Sequence, residues 1–288
     1  MKKNSYPETL NVIFTGGLGN QLFIYCAAKN IAFKEKIKNI FFYPSHGILK
    51  QVKDISFYIN EIKIEKTIAN KYLSSLFIFF KCIISSSIIT DNNGKYKNCK
   101  KITLQGYFQD PKWYKSVLKG VIFEIFSKNL IKELKKINLH DVVISFRRKD
   151  YIQLGMCLSE SYYINSIKKL KIKKKEKIKI VSDDESFALK FEKLLKKKGY
   201  KVYGNKRYVK NKSFNDFLVL IKSKKLIMSN SSFCWWASVC RSKLKLESKN
   251  VICPKKWFPG NRNLIRHLKM VHPGNPFKWK FVDSQFIL

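Results

Sequence analysis

Asp141-Val142-Val143-Ile144-Ser145-Phe146-Arg147-Arg148 is an apolar run that stops on two arginines. Its interior is short, β-branched and aromatic, the composition of a strand buried on both faces. Beyond it the chain alternates. A helix is expected over residues 160–170, then a strand, Ile178-Lys179-Ile180-Val181, ending in Ser182-Asp183-Asp184. A helix over 185–198 closes on Gly199, the usual left-handed terminator. Lys201-Val202-Tyr203 is a strand, 214–222 a helix, and Leu226-Ile227-Met228 a strand running into Ser229-Asn230-Ser231-Ser232. A helix over 234–241 and a last strand over 250–253 complete the series. Strands separated by helices of this length imply parallel sheets covered on both faces.

The amino-terminal part opens in the same way. Asn11-Val12-Ile13-Phe14 is a strand, Thr15-Gly16-Gly17-Leu18-Gly19-Asn20 a turn, and residues 21–33 carry apolar side chains at helical spacing (Leu22, Tyr25, Cys26, Phe33). Ile40-Phe41-Phe42-Tyr43 is a second strand. Residues 58–100 are poorly patterned and read as helical, then as a polar loop at 91–94. Ile102-Thr103-Leu104 then leads into Gln105-Gly106-Tyr107-Phe108-Gln109, another strand end. With 288 residues there is room for two domains of roughly 100–200 residues each. The expected division is 1–137 and 138–288, both α/β.

Composition narrows the function classes. Hydrophobic residues make up 45% of the chain, enough for real cores. The formal net charge of +38 invites a nucleic-acid reading, but its lysines come in scattered runs such as 173–175 and 196–198. Such runs flank helices and form no single stripe with interleaved aromatics, so no nucleic-acid partner is expected. Contact with an anionic membrane surface is the side effect such a charge allows. The seven cysteines include no C-x-x-C pair, which fits a reduced cytoplasmic chain. No signal peptide is apparent after Met1. The most apolar stretch, residues 72–90, carries Lys81 near its centre and is diluted by serines, so a buried or interfacial helix is expected there.

Ligands of open α/β sheets collect outside the carboxyl ends of the strands. The unusual polar clusters all lie there: Gly16 to Gln21, Arg147 to Asp150, Ser182 to Asp184 and Ser229 to Ser232. An arginine at a strand end offers a rigid fork of donors suited to phosphate oxygens. The alternative is an ion pair with Asp150 or Asp183. Both readings hold together if one arginine faces the ligand while the other braces the loop, because successive strand residues point opposite ways. Asn230-Ser231-Ser232 precede a helix, where free N–H groups and hydroxyls form an anion site or simply an N-cap. Trp235 and Trp236 are expected in the core. Gly17-x-Gly19 resembles a dinucleotide fingerprint, but Leu22 stands where the third glycine belongs. Three glycines in four positions still permit close backbone approach to a ligand. The four histidines lie outside the clusters, and no spacing suggests a metal cage.

Gly16-Gly17-Leu18-Gly19-Asn20-Gln21-Leu22-Phe23, Ser145-Phe146-Arg147-Arg148-Lys149-Asp150-Tyr151, Ser182-Asp183-Asp184 and Ser229-Asn230-Ser231-Ser232-Phe233-Cys234-Trp235-Trp236 together resemble the bacterial α-1,2-fucosyltransferases of glycosyltransferase family 11. Pro254-Lys255-Lys256-Trp257-Phe258 adds to the likeness. The resemblance implies a GT-B-like fold of two Rossmann-like domains, the first on the acceptor side and the second binding the donor. It further implies GDP-L-fucose as donor, a galactose-type glycan acceptor, inversion, and no required cofactor or metal. In this sequence it assigns the phosphates to Arg148 or Arg147 with Ser231 and Ser232, and guanine to Asp216 with Asp183 or Asp184 nearby. Gly17, Gly19, Gln21, Ser145 and Asn230 join the donor-binding set. Asn20 would lie between donor and acceptor, and Asp150 is the nearest candidate base. Ser145 stands where the family usually has histidine, and Lys149 where it has glycine.

Overall fold

A computed structural model describes residues 7–44, 55, 59, 62, 86–91, 93, 99–203, 212–259 and 272–287. The chain forms two compact units, Met1–Leu130 with Asn263–Gly274, and Ile131–Arg262 with Asn275–Leu288. Residues 131–137, expected in the first domain, therefore group with the second unit, and 263–274 group with the first.

The first unit begins with β1 (Thr9–Phe14), α1 (Leu18–Glu35) and β2 (Asn39–Pro44). β3 (Ser87–Ile89) and β4 (Lys101–Leu104) complete its sheet, followed by α2 (Pro111–Tyr114) and α3 (Leu118–Ile125). The order is β2-β1-β4-β3 and every pairing is parallel. Helix α1 starts three residues before its expected start at Gln21, so Leu18, Gly19 and Asn20 are its first turn. It is buried nearly all round, whereas Phe33, expected on the packed stripe, is 83% exposed. Strand β3 falls in the poorly patterned stretch, too short for a periodic signal. Residues 71–85, which hold most of the apolar stretch, lie outside the described residues. Among the described residues no helix is long and apolar enough to cross a membrane, and the expected membrane contact gains no support.

In the second unit α4 (Lys128–Lys136) leads to β5 (His140–Phe146), then α5 (Lys149–Gln153) and α6 (Glu160–Lys169). β6 (Lys177–Ser182), α7 (Glu185–Lys197), β7 (Lys201–Tyr203) and α8 (Lys212–Ile221) follow. β8 (Ser223–Ile227), α9 (Ser232–Cys240), β9 (Val251–Pro254) and β10 (Lys280–Val282) end the series, so 250–253 is not the last strand. The sheet runs β10-β9-β8-β5-β6-β7, again all parallel. Val142, Val143 and Ile144 are fully buried, as the unbroken apolar run of a central parallel strand requires. Gly199 ends α7 at φ +80°.

The order of each sheet has a consequence. From β5 the chain steps outward to β6 and β7, then returns to lay β8 on the other side of β5. From β1 it steps to β2, and later places β4 on the other side of β1. Each sheet thus has a switch point, between β5 and β8 and between β1 and β4. In open α/β sheets such a reversal of strand order is where ligands bind, outside the carboxyl ends of the strands.

Trp235 and Trp236 are both fully buried, edge to face at 5.2 Å, and Trp235 meets Trp279 at 6.0 Å. Trp235→Ala should lower unfolding stability by about 3–5 kcal/mol, read from a chemical-denaturation midpoint. A loss below about 1 kcal/mol would contradict this packing.

Candidate active site

At the carboxyl end of β5 the register with β6 aligns Phe146 with Ser182, so the two arginines after β5 face the two aspartates after β6. Arg147 Nη1 meets Asp183 Oδ2 at 2.6 Å, and its Nη2 meets Asp150 Oδ1 at 2.7 Å. The Arg147 guanidinium also lies 5.2 Å from the Tyr151 ring centroid. Arg148 turns the other way. Its Nε donates to Asp184 Oδ2 at 3.1 Å, and its guanidinium stacks 3.7 Å from the centre of the Phe187 ring. The Arg148 backbone N–H donates to Asp183 Oδ1 at 2.8 Å. Both terminal nitrogens of Arg147 are therefore engaged, whereas Arg148 Nη1 is buried without a hydrogen-bond partner.

Asp184 is the N-cap of α7, accepting from Phe187 N at 3.0 Å and from Ser186 Oγ at 2.8 Å. Burial pushes its carboxyl up, but these bonds and the Arg148 guanidinium outweigh burial and hold it below the usual carboxylate range. Asp216, on α8, is tied to the same edge through Lys212, whose Nζ donates to Asp216 Oδ2 at 2.7 Å and to Ser182 O at 2.8 Å. Burial raises the Asp216 carboxyl, and the lysine opposes that only in part.

Ser145, near the end of β5, and Ser229, just after β8, are buried against each other, Oγ to Oγ 3.3 Å. Ser231 is the N-cap of α9 with no side-chain cap hydrogen bond, so the ordinary capping role is not taken by its hydroxyl. Ser232 follows as the first residue of the helix and is partly buried. Asn230 is fully buried, and its Nδ2 donates to Met156 O and Trp257 O, both at 2.9 Å. Its amide nitrogen is thus a strut between loops and not a free donor for a ligand. The strut reaches the arginines: Met156 N donates to Tyr151 O, and the Cys157 thiol to Arg148 O. On the other side of this segment Ile287 N donates to Cys157 O and Ser159 N to Gln285 O, so the residues after β10 hold it from behind.

The first unit has its own edge. Gly16 adopts φ +71°, and a Cβ there would lie 2.4 Å from Asn20 Nδ2. No atom lies within 4 Å of where a Gly17 Cβ would be, so that turn opens outward. Gly19 is buried in the first turn of α1, and Gln21 is buried with its Nε2 on Gly16 O at 2.8 Å, holding the turn. Asn20 Oδ1 accepts from Gln109 Nε2 at 3.0 Å. Sequence reasoning assigned no role to Tyr151, although it ends a recognised block, and missed Gln109, Lys212 and the Met156–Ser159 segment, which stand in no recognisable spacing. Among the described residues no group of three His, Cys, Asp or Glu side chains could hold a metal ion.

The sequence model described as glycosyl transferase family 11 matches residues 44–251. The chain belongs to glycosyltransferase family 11. A curated relative, the O-antigen biosynthesis glycosyltransferase WbnK of Escherichia coli, is 27% identical over 292 residues, covering 86% of this chain and 94% of the relative. Among solved structures, the E. coli heptosyltransferase WaaC with ADP has a TM-score of 0.47 at 10% identity, over 96% of this chain and 90% of that one. The α-1,6-fucosyltransferase NodZ soaked with GDP-fucose has a TM-score of 0.43 at 9% identity, over 81% and 92%. The α/β character with parallel sheets follows from the strand pairings themselves. As a member of the family this protein is a glycosyltransferase, and the residues following β5, β6 and β8 are its candidate donor machinery.

The depressed Asp184 carboxyl has a signed consequence. Its contribution to stability is complete above the unfolded value of about 3.9 and is lost as pH falls through the lower folded value. Asp184→Asn should therefore flatten the acid limb of a urea-midpoint curve taken from pH 6 to pH 2. An unchanged slope below pH 4 would contradict the assigned hydrogen bonds.

Proposed function

We propose that this family 11 glycosyltransferase moves L-fucose, with inversion, from GDP-L-fucose to the 2-hydroxyl of a galactose-type acceptor during surface polysaccharide synthesis. The observation that carries the donor site is Arg148 Nη1. A buried guanidinium N–H without a partner is unfavourable by several kcal/mol unless a ligand or water completes it. In this reading a diphosphate oxygen completes it at the carboxyl end of the sheet, where ligands of open α/β sheets bind. Arg147, held by two carboxylates, braces the loop, and Arg148 grips the phosphate.

Departure of GDP breaks the bond between the anomeric carbon and the β-phosphate oxygen, and negative charge grows on the diphosphate. Fixed donors stabilise that charge without rearranging: Arg148, the unengaged hydroxyl of Ser231, and Ser232 at the start of α9. The acceptor oxygen attacks from the opposite face of the sugar ring, and its proton passes to a carboxylate. Asp150 suits this role, because only its Oδ1 is committed to Arg147 and its side chain is 54% exposed. Asp216 pairs with the guanine edge, supported by Lys212. Asp183 and Asp184 fix the arginines, and the buried Ser145 and Asn230 shape the floor and struts beneath them. Gly17, Gly19, Asn20 and Gln21 line the strand-end turn of the first unit and remain proposed donor-side residues there. The reading requires no metal or cofactor.

Incubation with GDP-fucose, GDP-mannose and UDP-sugars, with a β-galactoside acceptor, should give product with GDP-fucose alone. Transfer from another nucleotide sugar overturns the donor. Arg148→Ala should weaken GDP binding by roughly 10- to 100-fold by calorimetry, the loss expected of one charge-assisted hydrogen bond. Asp150→Asn should lower kcat by roughly 10²–10⁴ while GDP binds at least as tightly as to wild type. A kcat within two-fold of wild type would reduce Asp150 to a brace.

A further inference from the structure

The Gln105–Gln109 turn after β4 is held by more than its sequence requires. Asp91, 8% exposed, accepts from the backbone N–H of Tyr107 at 2.8 Å and from that of Phe108. Gly106 is needed for this, since a Cβ there would stand 2.5 Å from Asp91 Oδ2. Phe108 is forced to φ +52°, a region that aromatic residues avoid, and its ring is buried edge-on against Trp113 at 5.1 Å. Strain of this kind persists only where surrounding contacts impose it.

The apparatus presents a single carboxamide. Gln109 is 4% exposed, its Nε2 is fixed on Asn20 Oδ1, and its Oε1 is buried without a partner. Gln109 follows β4 and Asn20 follows β1, so the pair stands at the switch point of the first sheet. Beside it the turn is open at Gly17. A carbonyl oxygen so placed requires an N–H or O–H donor, and the pair carries no net charge, so it suits a neutral hydroxylated ligand and not a phosphate.

We propose that Gln109, oriented by Asn20 and by the Asp91-pinned turn, is a sugar-binding residue: its Oε1 accepts a hydroxyl of the acceptor glycan. The inference rests on the transferase reading above and adds the residue that recognises the acceptor. Gly106 and Asp91 are positioning residues that set its direction.

The test compares Gln109→Leu, which removes the amide, with Gln109→Glu, which keeps an acceptor oxygen, in the full chain. Acceptor KM at saturating donor, GDP dissociation constant and thermal midpoint are measured for each. Gln109→Leu should raise acceptor KM about 5- to 20-fold, the range for one lost hydrogen bond that leaves a sugar hydroxyl unpaired. GDP binding should stay within two-fold of wild type, and Gln109→Glu should recover part of the loss. An unchanged acceptor KM in Gln109→Leu overturns the proposal. So does a GDP affinity that falls in step with acceptor KM, or a change in KM explained by a collapsed thermal midpoint in both variants. Failure of the wild-type chain to bind GDP would strike the donor reading instead. The Gln109 proposal is then judged by direct titration with methyl β-galactoside, whose binding must weaken in Gln109→Leu.

Discussion

Asp183 joins two strands and two arginines with one carboxylate. One oxygen takes the Arg147 guanidinium and the other the backbone N–H of Arg148. The loop after β5 is thereby fastened to the end of β6, and its side chains are forced apart, one to each side. Arg147 is drawn into a network with Asp150, and Arg148 is turned toward Asp184 and Phe187. Three carboxylates against two guanidiniums would make a poor anion site if all were equally engaged. The asymmetry matters, because it leaves buried donor capacity on Arg148 alone. The geometry is also pinned from below: the Asn230 amide ties Met156 to Trp257, and the chain beyond β10 holds Cys157 and Ser159.

The two units solve a similar problem with different chemistry. Each sheet changes direction once, and the loops beside that change carry its polar side chains. In the second unit these are charged and suited to phosphate. In the first they are neutral amides, held by a buried aspartate acting on backbone N–H groups. Burial raises the Asp91 carboxyl and the Tyr107 and Phe108 N–H groups oppose that rise. Its part is that of an acceptor that dictates the turn.

The large positive charge has little part in either edge. The described lysines that make ion pairs do so mostly on helix and strand surfaces, such as Lys196 with Glu192 and Lys224 with Asp141. Lys212 is the exception, since it links Asp216 to the end of β6. A basic composition thus coexists with a site whose electrostatics are set by a few local pairs.

Much of this was legible in the residues alone. Val142 to Phe146 could be nothing but a buried strand, Gly199 nothing but a helix terminator, and the polar clusters fell at strand ends because apolar runs stop there. These are local properties, set by side-chain periodicity and backbone preference over a few residues. The sequence also carried the family through motifs that survive as strings. It could not say which arginine is braced, that the Asn230 amide is a strut, that Phe33 faces solvent, or that Gln109 meets Asn20 from 89 residues away. Those outcomes depend on which strands become neighbours and in what register, and only the folded sheets decide that.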